Sequence, residues 1–235
     1  MVKKSGNTEA YARDLLYALK HPFSSLKIIP DILRHWNLYS MTRRVKGYLD
    51  WTTGIALYNT VLNTDHPSPN VIEVGSFQGK STIFLAAASK KTGRRVFAFE
   101  WFQGLKELNP EMDSMFNPKI FLSDKEIFDR NLNNCRLRQF VDLTVGDARV
   151  TLLPKIKDSG FSVAFLDVDL YSVTSDLLNQ LQSVATGKEI IIVHDYDSKG
   201  IKRAIDEFCS SYKSRIKRFS VFGKAPLNSA MLELL

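Results

Sequence analysis

The chain has little cysteine and no long apolar run. Its 235 residues include 2 cysteines, Cys135 and Cys209, whose separation fits no Cys-x-x-Cys metal or redox motif. This scarcity excludes a disulfide-built scaffold and is typical of a reducing compartment, so we expect a cytoplasmic protein. No run of about 18 apolar residues is present, and residues 1–20 lack the continuous apolar core of a secretory signal. We therefore expect no transmembrane segment and no leader.

Acidic residues are outnumbered by basic ones. The formal net charge is +7, and basic residues concentrate in residues 43–46 and 213–218. A surface for nucleic acid or an anionic membrane is one interpretation of these concentrations. A solvated basic face is the favoured one, because aromatic and basic residues do not interleave as they do in single-strand binders. Nucleic acid is not an expected partner.

The remaining composition, 44% apolar and 24% charged, is that of an ordinary globular protein. The length fits one α/β domain, residues 47–235, preceded by a helical N-terminal extension, residues 1–46. In the extension, apolar residues such as Leu15, Leu19 and Trp36 recur at helical spacing around Pro22 and Pro30. Three roles stay open for it besides packing on its own domain: a cap over a ligand site, a dimer contact, or a membrane contact.

The stretch 70–88 predicts a strand, a glycine turn and a helix. An apolar run ends at Val74, and Gly75 and Gly79 precede a helix-forming segment. In an open α/β sheet, ligands bind beyond the carboxyl ends of the strands, where helix N-termini present free N–H groups. The turn is therefore a candidate ligand loop, with a packing turn that binds nothing as the alternative.

Two ligand patterns fail at this turn and a third fits. The dinucleotide fingerprint Gly-x-Gly-x-x-Gly fails twice after Gly75, and the phosphate-binding loop lacks its first glycine, although Gly79-Lys80-Ser81 fits its second half. Glu73, Gly75 and Gly79 match Glu-x-Gly-x-x-x-Gly, which resembles the first motif of class I S-adenosylmethionine-dependent methyltransferases. An acid here suits that ligand because it carries an ammonium and a sulfonium centre.

Polar residues follow the other predicted strands. Glu100 ends one strand, where it can accept hydrogen bonds from ribose hydroxyls, and Trp101 beside it offers a surface for adenine. Asp147 follows the next strand and either accepts from the adenine amino group or caps a helix. Asp167 and Asp195 end two later strands, and if these are neighbours the two carboxylates repel unless a cation or proton joins them. The expected cation is Mg²⁺; a hydrogen-bonded carboxylate pair is the alternative.

The combined pattern resembles the macrocin O-methyltransferase family over residues 47–222. Four segments carry the resemblance: residues 71–82, 97–105, 165–174 and 191–208. The motifs within them that match the family are Phe99–Leu105, Leu166–Tyr171 and the pair His194-Asp195 followed by Gly200–Phe208. His194 stands where the family usually has a metal-binding aspartate, and Trp101 replaces a small residue.

The resemblance implies a doubly wound, seven-stranded, mostly parallel sheet with a Rossmann-like methyltransferase fold. It implies methyl transfer from S-adenosyl-L-methionine to a hydroxyl of a sugar or another small polar, natural-product-like acceptor. It also implies a divalent metal, Mg²⁺ in the family, and a homodimer. Two rivals stay open: a P-loop-like nucleotide hydrolase and a non-catalytic protein that binds through its basic surface.

Site residues are carried over on these motifs. The predicted metal ligands are Asp167, Asp195 and His194. Asp169 is the predicted general base, on the expectation that the chain stays extended and directs it to the side of Asp167, and His194 is the second catalytic candidate. The predicted cofactor-binding residues are Glu73, Gly75, Ser76, Gly79, Ser81, Thr82, Glu100, Trp101, Asp147, Ala148 and Asp167.

Overall fold

A computed structural model describes residues 29–114, 121–224 and 227–235. The apolar spacing in Ala10–Leu19 predicts a helix that lies outside the described residues. The proline-containing stretch 106–122 predicts an irregular loop, whose middle also lies outside them. Two compact units divide at Lys46, and the second runs from Gly47 to Leu235. In the first unit, residues 29–34 and α1 (Trp36–Thr42) are helical.

The second unit alternates helices and strands. Its helices are α2 (Trp51–Asn63), α3 (Lys80–Thr92), α4 (Lys125–Asn134), α5 (Ala148–Ile156), α6 (Tyr171–Val184) and α7 (Lys199–Ser211). Its strands are β1 (Asn70–Val74), β2 (Arg95–Glu100), β3 (Val141–Val145), β4 (Val163–Leu166), β5 (Ile190–Val193), β6 (Ile216–Lys224) and β7 (Leu227–Leu234).

The seven strands form one sheet in the order β3-β2-β1-β4-β5-β7-β6. β1 to β5 are parallel, while β7 pairs antiparallel with both β5 and β6. This confirms the predicted seven-stranded, mostly parallel α/β sheet. The chain winds from β1 towards β3 and then from β4 in the other direction. Because such crossovers are right-handed, helices cover both faces, and the strand order reverses between β1 and β4.

The central strands are apolar because both their faces are buried. All residues of β1 and β4 are buried, which is typical of a parallel sheet covered on two sides. The core cluster joins Ile72 and Leu166 of these strands to Leu152 of α5, Leu178 of α6 and Ile205 of α7. Burial of each such side chain contributes roughly 1.5–3 kcal/mol. The core therefore fixes the strand ends that carry the polar residues.

Two helices start earlier than the sequence pattern indicates. Thr174 and Ser175 predict a capped helix from Asp176, whereas α6 begins at Tyr171 and buries Thr174. The pattern after Asp197 predicts a helix from Ile201, whereas α7 begins at Lys199. Both helices thus start closer to the ends of β4 and β5. The capping-box spacing of Ser123 and Glu126 predicts Ser123 as the N-cap of α4, but Asp124 occupies that position, without a capping hydrogen bond from its side chain.

Gly75 gives a test of how tightly the turn after β1 is packed. Its φ is +89°, and a Cβ placed there would lie 1.9 Å from the carbonyl oxygen of Asp167. Gly93 also has a positive φ, +69°, but a Cβ there would meet nothing within 4 Å.

Gly93→Ala should therefore cost only the left-handed strain, about 1–2 kcal/mol of the free energy of unfolding. Gly75→Ala should cost more than about 3 kcal/mol, because backbone must move as well.

Urea unfolding of the two alanine variants measures the difference directly. Equal losses in stability would show that the approach of Asp167 to residue 75 is not a constraint on the fold.

Candidate active site

The turn between β1 and α3 is built around the buried carboxylate of Glu73. Its Oε2 accepts hydrogen bonds from Ser76 Oγ at 2.8 Å and Thr82 Oγ1 at 2.6 Å. Its Oε1 is buried and has no hydrogen-bond partner among the described residues. Burial raises the pKa of Glu73 to about 7. A buried carboxylate oxygen without a partner is costly, and a cationic group of a ligand is the partner that suits it.

Glu100 at the end of β2 ties two turns together. Its carboxylate accepts from the backbone N–H of Phe77, in the turn after β1, and from the N–H of Phe102 at 2.7 Å. Burial raises the pKa of Glu100, and these two hydrogen bonds oppose the rise. Each carboxylate oxygen has capacity for a further donor, so the predicted ribose contact fits this position.

Trp101 and Asp147 have protein partners of their own. The ammonium of Lys106 lies 4.4 Å from the centroid of the Trp101 ring, which occupies one face of the indole. Asp147 caps α5 by accepting from the N–H of Arg149 at 2.9 Å and also pairs with the Arg149 guanidinium, which lowers the pKa of Asp147. The geometry matches the helix-cap alternative for Asp147; its adenine contact stays a prediction. Ala148 is the first residue of that helix and is buried.

The structure brings Asp167, His194 and Asp195 together at the ends of β4 and β5. His194 Nδ1 lies 3.1 Å from Asp167 Oδ1 and 3.2 Å from Asp195 Oδ1. Burial opposes the imidazolium, but the charges of Asp167 and Asp195 outweigh it and hold the pKa of His194 well above its usual range. His194 Nε2 is buried and has no hydrogen-bond partner in the part of the chain that the structure describes. The three side chains offer one oxygen or nitrogen each within 4.8 Å of one another, a spacing compatible with a shared metal ion.

Asp169 lies beside this group but not for the reason predicted. The chain does not stay extended after Asp167: Asp169 adopts a φ of +63° in the left-handed region. Its side chain is buried, and burial, followed by the charge of Asp167, raises the pKa of Asp169 well above its usual range. The nearby carboxyl of Asp195 adds to this rise in the pKa of Asp169.

Asp113 is a functional candidate that the sequence did not reveal. It is 0% exposed, and its carboxylate accepts from the backbone N–H of Asn109 at 2.8 Å and of Tyr171, the first residue of α6, at 3.0 Å. A Cβ on Gly200, in the first turn of α7, would lie 2.8 Å from Asp113 Oδ1. Asp113 therefore attaches residues 109–113 to the first turns of α6 and α7. No local spacing signals a contact across 58 positions.

A family comparison agrees with this geometry. Residues 72–196, more than half of the chain, match the sequence profile of a family described as a methyltransferase domain. The chain belongs to this methyltransferase family. It is a class I S-adenosylmethionine-dependent methyltransferase, and both rival interpretations, the nucleotide hydrolase and the non-catalytic binding protein, are set aside.

Solved structures share the fold of this methyltransferase across most of its length. CalS11, a calicheamicin methyltransferase described as a TDP-rhamnose 3′-O-methyltransferase, is 19% identical with a TM-score of 0.60, covering 99% of this chain and 94% of that one. The O-methyltransferase NovP is 21% identical with a TM-score of 0.64, covering 77% and 78%. TomG from Streptomyces achromogenes, solved with S-adenosylmethionine, is 16% identical with a TM-score of 0.58, covering 80% and 81%.

The pKa of Glu73 generates a prediction about cofactor binding. The ionised fraction of Glu73 rises as the pH passes through about 7, while the cofactor's ammonium stays mostly protonated. The affinity for S-adenosylmethionine should therefore increase between about pH 6 and 7.5 in calorimetric titrations. Glu73→Gln keeps an acceptor for Ser76 and Thr82 but removes the charge, so its affinity should be weaker and nearly independent of pH. A variant with the same pH dependence as the wild type would remove Glu73 from the ammonium site.

Asp113→Ala tests the attachment of the segment after β2. The change leaves the N–H groups of Asn109 and Tyr171 without an acceptor, which should cost about 1–3 kcal/mol of stability. Hydrogen exchange should speed up in peptides covering 109–113 and 171–174 and stay unchanged in α3. The matched control is Glu111→Gln, in the same segment, whose exposed pair with Lys199 should matter little. Equal exchange in the two variants would contradict the anchoring role.

Proposed function

We propose that this methyltransferase transfers its methyl group to a hydroxyl of a small polar acceptor, a sugar or a related natural-product-like molecule. The observation that carries the proposal is the position of the polar group formed by Asp167, His194 and Asp195. It adjoins the cofactor turn directly, because the backbone of Asp167 lies against Gly75. An alcohol is a weak nucleophile near neutral pH, and this polar group offers what an alcohol needs: a base and a cation site.

Asp169 is the proposed base, with His194 as the second candidate. Its carboxyl is buried beside Asp195 and its pKa is raised, which favours holding a proton taken from an acceptor. The left-handed backbone at Asp169 supports a functional role, since such strain in a residue other than glycine persists where the surroundings enforce it. Asp113, through Tyr171, supports the start of α6 just beyond Asp169 and so helps to fix its position.

The donor set fits a divalent cation, which we propose Asp167, Asp195 and His194 hold. Each of the three side chains offers one ligand atom within 4.8 Å of the others, and His194 Nδ1 lies 3.1 Å from Asp167 Oδ1 and 3.2 Å from Asp195 Oδ1. A divalent cation bound there would lower the pKa of an acceptor hydroxyl. The family resemblance makes Mg²⁺ the expected ion.

Similarity to other enzymes supports the acceptor class. CalS11 is described as acting on TDP-rhamnose, and NovP and TomG are described as O-methyltransferases. In this chain residues 109–113 cross towards α6 and α7, where Asp113 accepts from the N–H of Tyr171 and holds them. We propose that residues 109–113 form part of the wall on the acceptor side of the cleft.

We propose that the reaction takes place in the cytoplasm, which agrees with the lack of a disulfide between Cys135 and Cys209. Among the described residues, no helix is both long and apolar enough to cross a bilayer. We also propose that residues 1–46 form an extension to a methyltransferase domain of residues 47–235, and that the enzyme works as a homodimer.

The direct test is transfer of an isotopically labelled methyl group. The purified enzyme is incubated with labelled S-adenosylmethionine, a divalent cation and a panel of nucleotide sugars led by TDP-rhamnose, free sugars and phenols. Label should appear on oxygen of a sugar-like acceptor and require both enzyme and cofactor. Transfer only to nitrogen, carbon or an aromatic hydroxyl would contradict the proposed acceptor class.

Asp169→Asn tests the base. It preserves the size of the side chain but cannot take the proton, so turnover should fall roughly 10²–10⁴-fold. The dissociation constant of S-adenosylhomocysteine and the unfolding temperature should change little. Near-normal turnover would exclude Asp169 as the base, and His194→Gln would then be measured in the same assay.

A further inference from the structure

We propose that the centre formed by Asp167, His194 and Asp195 selects a divalent first-row transition ion over Mg²⁺. This inference rests on the proposed function, which places a cation at these three residues. It departs from the Mg²⁺ that the family resemblance implies, and the departure comes from one residue of this chain, His194.

The distances allow the imidazole to share an ion with the two carboxylates. His194 Nδ1 is 3.1 Å from Asp167 Oδ1 and 3.2 Å from Asp195 Oδ1. Two ligands at about 2.1 Å from one ion and at right angles are about 3.0 Å apart. The separations are therefore compatible with one ion bound by all three atoms.

The chemistry of the donors then discriminates between ions. Mg²⁺ is a hard cation that prefers carboxylate, carbonyl and water oxygens, whereas imidazole suits Zn²⁺, Fe²⁺, Ni²⁺ and Cu²⁺. Replacing a third carboxylate by a neutral imidazole also removes one negative charge from the set. The loss of this charge weakens the binding of Mg²⁺, which is held mainly by charge. A transition ion gains a nitrogen ligand in compensation.

The surroundings hold His194 inside the polar group. It is 3% exposed, and its ring lies edge-on to Phe165 with 6.2 Å between centroids. Its Nδ1 contacts the carboxylates of Asp167 and Asp195. The imidazole is thus fixed with Nδ1 directed at the two acids.

The experiment compares Co²⁺ and Mg²⁺ on the full-length protein after chelation and dialysis. Calorimetry gives each dissociation constant, and the visible absorption of Co²⁺ reports a change of its ligands independently of methyl transfer. We expect Co²⁺ to bind at least about tenfold more tightly than Mg²⁺, and the absorption to change on binding. Equal affinities would overturn the proposed selectivity.

His194→Asp restores three carboxylates and should bring the ratio of the two dissociation constants close to one or reverse it. Asn179→Asp, on the exposed side of α6, adds a carboxylate elsewhere and should leave the wild-type ratio unchanged. An unchanged ratio in His194→Asp would overturn the role of the imidazole. If that variant does not fold, His194→Asn, which supplies an amide oxygen, carries the same expectation.

The outcomes separate this inference from the proposed function. Mg²⁺ binding as tight as Co²⁺ binding overturns the selectivity and leaves the cation-assisted reaction standing. The absence of binding by either ion overturns both the selectivity and the cation. Methyl transfer to a hydroxyl is measured by the labelled assay and fails or succeeds separately.

Discussion

The approach of the Asp167 backbone to Gly75 is the constraint on which the rest of the site depends. The carbonyl oxygen of Asp167 occupies the space that a side chain at residue 75 needs. Asp167 N donates to Val74 O at 2.9 Å, and Gly75 N donates to Phe99 O at 3.0 Å, so the ends of β4, β1 and β2 are joined. This junction lies where the strand order reverses, and it sets the cofactor turn directly against the polar group that follows β4 and β5.

Because of that junction, several acidic side chains lie close together at one edge of the sheet. Glu73, Asp169 and Asp195 are buried or nearly so, and carboxylates this close cannot all ionise without a compensating positive charge. Without a metal ion, protonated His194 supplies part of that charge. A divalent ion bound by the neutral imidazole would take its place and a cationic cofactor would supply more, which explains why a fold keeps acids that contribute little to its own stability.

The sequence predicted the strand ends well because they depend on local pattern. Apolar runs that stop at Glu100, Asp167 and His194 mark parallel strands, and such ends share an edge of the sheet, so the polar group was predictable from the strands alone. Side-chain partners were not predictable in the same way. Ser76 and Thr82, which are predicted to bind the cofactor, donate hydrogen bonds to Glu73, and these bonds depend on how the turn folds back over the strand.

The start of α6 and the backbone conformation of Asp169 were not predicted from local pattern. α6 begins at Tyr171 because the buried carboxylate of Asp113 accepts its N–H, so a residue from a distant loop replaces the predicted cap at Thr174. The left-handed backbone at Asp169 was likewise not predicted, because an extended chain was expected after Asp167. Propensity and spacing describe neighbours along the chain, and the contact between Asp113 and Tyr171 is not of that kind.

The central claim is that one cleft, at the junction of β1 and β4, holds the methyl donor beside the polar group. A crystal structure with S-adenosylhomocysteine and a divalent cation tests it most directly. The account predicts the ammonium at Glu73 Oε1, the ribose hydroxyls at Glu100, and the sulfur facing Asp167 and His194. The ligand bound elsewhere, or bound with its sulfur turned away from Asp167 and His194, would contradict it.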